Sequence, residues 1–233
     1  MTALVEVNNI SKSFESFLAV NNINFSLEKG EVLGFLGPNG AGKTTTMRIL
    51  TGFLKPSSGS IKINGLDLFK NLKKAREFIG YVPEGSPLYN EMTTIDFLSF
   101  ICEIRNIDKG QNLSKIIKLL DLDEVLLQKI DTLSKGFKRR VGLAQALVHD
   151  PKILILDEPT DGLDPNQKHE VRKLIKKLGK EKSIIISTHI LEEVKAICNR
   201  TMILSNGKLL IDDTPSNVLK KSSSYNNLLV SVH

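Results

Sequence analysis

The order of hydrophobic segments predicts an α/β fold with a parallel sheet and flanking helices. Short strand-like segments dominate the first 64 residues, helical spacing dominates residues 93–148, and two buried-strand segments alternate with helices after residue 150. Strands separated by helices of this length pair in parallel through right-handed crossovers. The same order indicates a strand-rich N-terminal part and a mostly helical subdomain in the middle of the chain.

The N-terminal part contains four predicted strands. Residues 4–10, 23–27 and 32–36 are short segments of apolar or alternating character. A fourth strand, at residues 59–64, follows a Pro-Ser-Ser-Gly turn. The middle part then changes to helical periodicity. Two successive helical faces are formed by Ile95, Leu98 and Ile101, and by Ile116, Leu119 and Leu120.

Two continuous apolar runs, at residues 153–156 and 184–186, have the character of strands buried on both faces of a parallel sheet. A helix separates them, and residues 190–197 form another. The separating helix carries apolar residues at positions i, i+3, i+4 and i+7, namely Val171, Leu174, Ile175 and Leu178. This alternation is the main support for the parallel sheet.

Composition narrows the class of protein but does not identify the partner that it binds. The 233 residues suggest one large domain or a core with a subdomain, and usage of 41% hydrophobic and 25% charged residues excludes a disordered or fibrous chain. Cys102 and Cys198 are too few for a disulfide framework and too far apart for a metal or redox pair. A net charge of +6 suits nucleic acid, an anionic membrane face or a phosphorylated small molecule.

Neither a membrane span nor a secretory signal is expected from the sequence. No apolar run approaches the roughly 18 residues that a spanning helix needs, and the N-terminus has no basic cluster before its apolar residues. Near the other end, residues 221–224 have the composition of a linker and residues 228–232 resemble a first strand. We therefore separate a tail, residues 221–233, from a main unit at residues 1–220.

A phosphate-binding loop lies directly after the predicted strand at residues 32–36 and before a helical run. Its glycines let successive backbone N–H groups point inward, and the helix N-terminus adds partial positive charge. Lys43 is expected to reach the β- and γ-phosphates of a nucleotide, and Thr44 to ligate Mg²⁺. The motif and the residue that follows it are Gly37, Pro38, Asn39, Gly40, Ala41, Gly42, Lys43, Thr44 and Thr45.

Two acidic residues follow the buried strand at residues 153–156. Asp157 is placed to hold the metal of a Mg²⁺–ATP site. Glu158 projects to the other side of the chain if strand geometry persists, where it is free to polarise an attacking water. The alternative is a pair of acids that cap the following helix.

Several segments together resemble the ATP-binding subunit of an ABC transporter, from about residue 4 to residue 220. Residues 133–137 resemble the signature sequence of the family, residues 161–164 its D-loop, and residues 187–189 its switch-histidine segment. The resemblance implies a P-loop NTPase core with a parallel sheet and flanking helices, an N-terminal antiparallel β-subdomain, and an inserted helical subdomain at about residues 84–150.

The resemblance also implies a head-to-tail homodimer that sandwiches two ATP molecules. Ser134 and the backbone N–H of Gly136 would bind the γ-phosphate held by the other subunit, although Ser134 also suits a plain helix cap. His189 would contact the γ-phosphate and hold Glu158 in register. Asp164 joins the nucleotide contacts through the D-loop.

Departures from the family pattern are found at three positions. Glu84 stands where a glutamine is usual; a carboxylate accepts from the waters of the metal but, when ionised, cannot donate as an amide does. Lys135 and Phe137 replace the usual glycine and glutamine of the signature. The adenine-stacking aromatic corresponds to Phe14, which is also suited to the core of a strand edge.

Three functions can be weighed against these features. The first is a transport ATPase, peripheral to the cytoplasmic face of the membrane, which energises a separate permease in an exporter without binding nucleic acid. Its docking surface is expected beside Glu84 and residues 93–105. The second is a soluble ABC ATPase that acts on nucleic acid or ribosomes. The dispersal of the basic residues over three separate regions argues against this function. The third, a cassette that only binds nucleotide, conflicts with the presence of Lys43, Asp157, Glu158 and His189.

Overall fold

The computed structural model describes residues 3–85 and 87–221. Ten strands form two sheets within these ranges. The strands are β1 (Val5–Phe14), β2 (Phe17–Leu27), β3 (Val32–Leu36), β4 (Ser58–Ile63), β5 (Leu66–Asp67), β6 (Ile79–Val82), β7 (Ile153–Asp157), β8 (Ser183–Thr188), β9 (Arg200–Ser205) and β10 (Lys208–Asp213).

Eight α-helices connect or flank the strands in the described ranges, and two 3-10 turns lie at Asp123–Val125 and Ile130–Thr132. The α-helices are α1 (Lys43–Leu50), α2 (Leu72–Glu77), α3 (Thr94–Ile104), α4 (Lys109–Leu119), α5 (Lys135–Leu147), α6 (Pro165–Leu178), α7 (Leu191–Ile197) and α8 (Pro215–Lys221).

The larger sheet has the strand order β10-β9-β3-β8-β7-β6, in which β10 alone is antiparallel to its neighbour. Strand β3 lies between β8 and β9, and every residue of β7 and β8 is buried. The predicted parallel sheet is confirmed. The hairpin of β9 and β10 was not predicted, although Asn206 and Gly207 form the two-residue turn that most strongly indicates a hairpin.

The smaller sheet is antiparallel, in the order β2-β1-β4-β5. Its first two strands are longer than predicted: β1 continues to Phe14 and β2 begins at Phe17, so the pair forms a hairpin with a tight turn. Asn9 and Asn22 have positive φ where the register shifts, a conformation that asparagine tolerates well. The predicted N-terminal antiparallel subdomain is thus present.

Alternation along β7 divides the apolar interior into two cores. Ile153 and Ile155 pack into the core formed with the smaller sheet and α1, whereas Leu154 and Leu156 pack into the core formed with α3 to α6. Successive side chains of a strand point to opposite faces, so one buried strand serves both layers. The helical part is therefore fixed to the same sheet that carries the functional loops.

The predicted tail lies outside the described residues, except that Lys221 ends α8. The boundaries of the helical subdomain remain a prediction, although α3, α4 and α5 pack against one another. Within residues 3–85 and 87–221, no helix combines the length and apolar character that a bilayer crossing requires.

Candidate functional site

The phosphate-binding loop connects β3 to α1, as the sequence predicts. Gly42 is the N-cap of α1 at φ 97° and has no side chain to cap the first turn, so the backbone N–H groups there face the cleft. A Cβ atom on Gly37 would lie 2.4 Å from the carbonyl oxygen of Leu204, and one on Gly42 would lie 2.6 Å from that of Ala19. The loop therefore requires glycine at both positions for steric reasons.

Lys43 holds this loop in its curled form. Its Nζ donates to the carbonyl oxygens of Gly37 at 2.7 Å and Pro38 at 3.2 Å, and its side chain is only 5% exposed. The same Nζ lies 3.5 Å from Oε1 of Glu158. A buried ammonium group with an acidic partner is thus aimed at the mouth of the loop.

The loop borders a cleft of about 330 Å³. This cleft brings together most of the predicted nucleotide ligands with the predicted catalytic residues. Its lining residues are Phe17, Ala19, Asn39, Gly40, Ala41, Gly42, Lys43, Thr44, Thr45, Glu84, Glu158, Asp161 and His189.

Thr44 and Asp157 form the candidate metal position. Asp157 is the last residue of β7 and is fully buried, and its Oδ1 accepts hydrogen bonds from the hydroxyls of Thr44, at 3.3 Å, and Ser187. Its buried Oδ2 has no partner among the described residues. Hydroxyl and carboxylate oxygens are ligands that Mg²⁺ prefers, and an unpaired buried oxygen suits a cation shared with phosphate. The residues present therefore fit Mg²⁺.

The described residues contain no group of three or more His, Cys, Asp or Glu side chains that could hold a metal ion by themselves. This finding agrees with the small number of protein ligands at Thr44 and Asp157. Mg²⁺ characteristically binds through one or two carboxylates together with substrate phosphates and water.

Glu158 reaches the cleft by a route different from the one predicted. Strand geometry does not persist past Asp157: Glu158 has φ 46°, and its N–H donates to Oγ of Ser187 at 3.0 Å. This left-handed turn, rather than strand alternation, separates the side chain of Glu158 from the metal position. Its Oε2 lies 3.2 Å from Nδ1 of His189, opposite Lys43.

The electrostatics of Glu158 are set by its burial and by its two neighbours, Lys43 and His189. Desolvation raises the pKa of the Glu158 carboxyl above its usual value, while hydrogen bonding and charge from His189 and Lys43 oppose that rise. A raised carboxyl pKa brings the group closer to neutrality and makes it a stronger base when it is ionised.

The aromatic residue on the cleft wall is Phe17 rather than Phe14, as far as the described residues show. Phe14 is paired with Phe17 across the hairpin turn, is 46% exposed, and carries Nζ of Lys12 at 5.2 Å from its ring centroid. Phe14 is therefore not a core residue either.

Three further predicted ligands lie outside the cleft lining. Ser134 is the N-cap of α5, with Oγ accepting from the N–H of Phe137 at 3.3 Å, and Asp164 caps α6 by accepting from Gln167 at 2.9 Å. Gly136 lies in the first turn of α5. A second groove, beside α5, shares Glu84 and Asp161 with the cleft and is further lined by Lys135, Lys138, Arg139 and Gly162.

Two residues at the site were not assigned a role from sequence. Ser187 bonds both Asp157 and the backbone of Glu158, and its strand position pairs with Asp157 in the parallel register. Arg139 donates from Nη2 to the carbonyl oxygen of Glu158 at 3.3 Å, and burial lowers the pKa of its guanidinium. The strand register offered a signal for Ser187, whereas nothing in the sequence indicated Arg139.

Comparison with known proteins decides the family. A family model described as ABC transporter matches residues 20–161. The bacitracin transport ATP-binding protein BcrA of Bacillus licheniformis is 39% identical over 223 residues, which cover 95% of this chain and 72% of that protein. The chain belongs to the ABC transporter family. The linearmycin resistance ATP-binding protein LnrL of Bacillus subtilis (strain 168) is 34% identical to this ATP-binding subunit over 222 residues, or 94% of this chain and 71% of that protein.

Solved structures agree with the sequence relatives. The structure of cbiO1 from Clostridium perfringens, described as part of the ABC transporter complex cbiONQ, superposes with a TM-score of 0.86 at 29% identity over 95% of this chain and 92% of that one. The predicted fold class and family are confirmed. The relatives favour the transporter subunit over the alternative that acts on nucleic acid or ribosomes.

Proposed function

We propose that this ATP-binding subunit hydrolyses ATP in the presence of Mg²⁺ and energises a separate membrane permease. The observation that carries the proposal is the placement of the Glu158 carboxylate between Lys43 and His189, at the edge of a cleft lined by the phosphate-binding loop. A base within reach of a bound phosphate is what hydrolysis needs and what nucleotide binding alone does not.

Each residue has a distinct role in this proposal. The N–H groups of residues 39–44 bind the phosphates, and Lys43 neutralises charge on the terminal phosphate. Glu158 accepts a proton from the attacking water, and His189 orients both the carboxylate and the phosphate. Mg²⁺, when bound, supplies charge stabilisation to the phosphate oxygens. Thr44 and Asp157 would hold it, and Glu84 borders the same cleft.

The signature residues act on a second copy of the chain in this proposal. Ser134 and Gly136 open α5 outside the cleft of their own chain, so they are free to meet a phosphate held by the partner. Two chains arranged head to tail would complete two sites, with Asp164 at the same junction. The ATP sandwich therefore makes the active form a homodimer.

The transport part of the proposal places the subunit on the cytoplasmic face of the membrane, against its permease. The names of BcrA and LnrL refer to bacitracin transport and linearmycin resistance, which supports export as the direction of transport. The permease is expected to dock beside Glu84 and α3, where the helical part meets the core. Cargo choice would rest with the permease.

Hydrolysis is tested by measuring phosphate release from ATP with and without Mg²⁺. Glu158→Gln keeps the shape of the side chain but removes the base, so we expect turnover to fall by about 10²–10⁴-fold while ATP still binds. The matched control is Glu181→Gln, an exposed acid away from the cleft, which should retain normal turnover. Near-normal turnover in Glu158→Gln would contradict the proposed role.

The permease is tested by co-expressing this chain with candidate multi-span membrane proteins, beginning with any that is encoded beside it. We expect the subunit and its permease to purify together from detergent-solubilised membranes, and we expect charge-reversing substitutions on α3 to release the subunit. Recovery of the subunit on nucleic acid, in a manner that added salt reverses, would support the other function instead.

A further inference from the structure

Glu193 is a buried acid whose place in the fold the proposed chemistry does not explain. It lies in the first turn of α7, and the residue is only 4% exposed. Its neighbour Glu192 is exposed on the same turn and already supplies the negative charge that favours a helix N-terminus. A carboxylate removed from water is costly unless its oxygens are hydrogen-bonded. The partners of Glu193 therefore indicate why it is buried.

Both carboxylate oxygens of Glu193 accept a hydroxyl. Oε1 accepts from Oγ1 of Thr160 at 2.5 Å, and Oε2 accepts from Oγ1 of Thr188 at 2.8 Å. Thr188 in turn accepts from the N–H of Ile190 at 3.1 Å. Each carboxylate oxygen of Glu193 therefore has a hydroxyl donor, and each of the two hydroxyls donates to that one side chain.

The two threonines belong to the segments that carry the proposed base and its histidine. Thr160 is two residues after Glu158 and directly before Asp161, whose N–H donates to the carbonyl oxygen of Glu158 at 3.2 Å. Thr188 ends β8 immediately before His189, and its bond to Ile190 spans that residue. Glu193 thus bridges the segment after β7 and the segment after β8.

We propose that Glu193 is a positioning residue that fixes His189 relative to Glu158 by bonding Thr188 and Thr160 at the same time. This inference rests on the proposed hydrolysis of ATP. Glu193 touches neither the cleft nor a phosphate, so it acts through the two threonines. Its loss would leave the phosphate-binding loop intact and loosen the contact between Nδ1 of His189 and Oε2 of Glu158.

The test measures turnover per ATP-binding site together with KM and ATP affinity. We expect Glu193→Ala to lower kcat by about tenfold to a hundredfold, which is what a displacement near 1 Å costs in an active site. KM and ATP affinity should stay within about twofold. Thr188→Val, which removes only the hydroxyl beside His189, should give most of that loss. Glu193→Gln should give an intermediate value, since an amide accepts through only one of its two polar atoms.

The controls separate positioning from a general loss of structure. Glu192→Gln changes the exposed acid beside Glu193 and should match the wild-type chain. Thr188→Val added to Glu193→Ala should cause a smaller loss than Thr188→Val causes alone, because the bond between Thr188 and Glu193 is already gone and only the bond to Ile190 remains to be lost. If Glu193→Ala does not fold, Thr188→Val and Glu193→Gln carry the same test with isosteric side chains.

Two negative outcomes are distinguishable. If wild-type turnover depends on Mg²⁺ and Glu158→Gln abolishes it, while the Glu193 and Thr188 variants retain wild-type kcat per site, the positioning role is overturned alone. A parallel loss of ATP affinity would likewise overturn it, because positioning predicts a change in kcat only. If the wild-type chain shows no Mg²⁺-dependent turnover, the proposed function is overturned and this inference with it.

Discussion

The two helices that begin with phosphate-binding character, α1 and α5, are built differently. At α1 the cap is Gly42 in a left-handed conformation, and Lys43 in the first turn is buried against Glu158. At α5 the cap is Ser134, whose Oγ already accepts an N–H of its own helix, and Lys135 in the first turn is exposed. The first turn of α1 is enclosed by residues of its own chain, whereas the first turn of α5 opens onto the second groove.

In the proposed head-to-tail homodimer, this difference would divide the work between two chains. The start of α1 has a cation, the proposed base and the candidate metal position beside it, all from residues of its own chain. The start of α5 borders the second groove together with Lys138 and Arg139 of the same helix. It is therefore suited to complete a site that another chain has already loaded.

The largest effect is expected when the start of α1 is inactivated by substitution in one chain and the start of α5 in another. Gly136→Asp puts a negative charge at the start of α5, and Lys43→Met removes the cation at the start of α1. Each homodimer should lose turnover by on the order of 10²-fold. An equal mixture should recover part of the activity, because one composite site in a head-to-tail dimer is then intact.

The mixing experiment is read as phosphate release at constant total protein. The control is Lys43→Met alone, taken through the same refolding or subunit-exchange procedure. A mixture no more active than the two separate variants would contradict the head-to-tail homodimer. A Cβ atom on Gly136 would lie 3.3 Å from Cγ and Cδ of Gln167, so the flexible Gln167 side chain must shift slightly to admit the aspartate.

The contrast between the two lysines gives the next largest effect. Lys43→Met should weaken ATP affinity of the single chain by about tenfold to a hundredfold, because a charged hydrogen bond to phosphate contributes about 1.5–3 kcal/mol. Lys135→Met, at the same helical position of α5, should change that affinity by less than about twofold. Fluorescent ATP analogues measure both. Equal losses would show that the two helix starts bind the same nucleotide in one chain.

Turnover is expected to depend on pH through Glu158, which lies beside the start of α1. Burial raises the pKa of Glu158 against the opposing effects of His189 and Lys43, and the carboxylate must be ionised to accept a proton. Turnover should therefore rise with pH through that pKa, by about tenfold for each pH unit below it. The residual activity of Glu158→Gln should lack this rise, whereas Lys135→Met should keep it. A rise that persists in Glu158→Gln would assign the titration elsewhere.

The smallest effect concerns adenine stacking. Phe17 borders the cleft and is 62% exposed, so Phe17→Ala should weaken ATP affinity by about twofold to tenfold, within the range for an aromatic pair. Phe14→Ala is the matched variant across the hairpin. A larger loss in Phe14→Ala would restore the prediction made from sequence. In either case the site should discriminate poorly between ATP and GTP, since stacking does not depend on base identity.

The sequence predicted the parts of the site that depend on local chemistry. The phosphate-binding loop needs glycine at fixed positions, and the strand before Asp157 is apolar throughout, so both were visible as patterns. It did not predict the turn at Glu158, because a left-handed residue after a strand depends on bonds to Ser187, which lies in a neighbouring strand.

Other features were set by tertiary contacts. The sequence predicted Phe14 as the stacking aromatic, whereas the folded hairpin places Phe17 on the cleft wall. The roles of Glu193 and Arg139 belong to no local pattern, since Glu193 bonds Thr160, 33 residues away, as well as the nearby Thr188, and Arg139 bonds the backbone of Glu158, 19 residues away. The β9–β10 hairpin is different, because its Asn-Gly turn is a local sequence pattern from which the hairpin could be predicted.

The position of β3 between β8 and β9 has a consequence for the order in which the protein matures. The phosphate-binding loop follows β3, yet both neighbours of that strand come from the last quarter of the chain. Gly42 and Gly207 also pack against one carbonyl, that of Ala19. Contacts so distant along the chain form slowly. During synthesis, therefore, the loop is among the first functional segments to leave the ribosome and among the last to acquire its native shape.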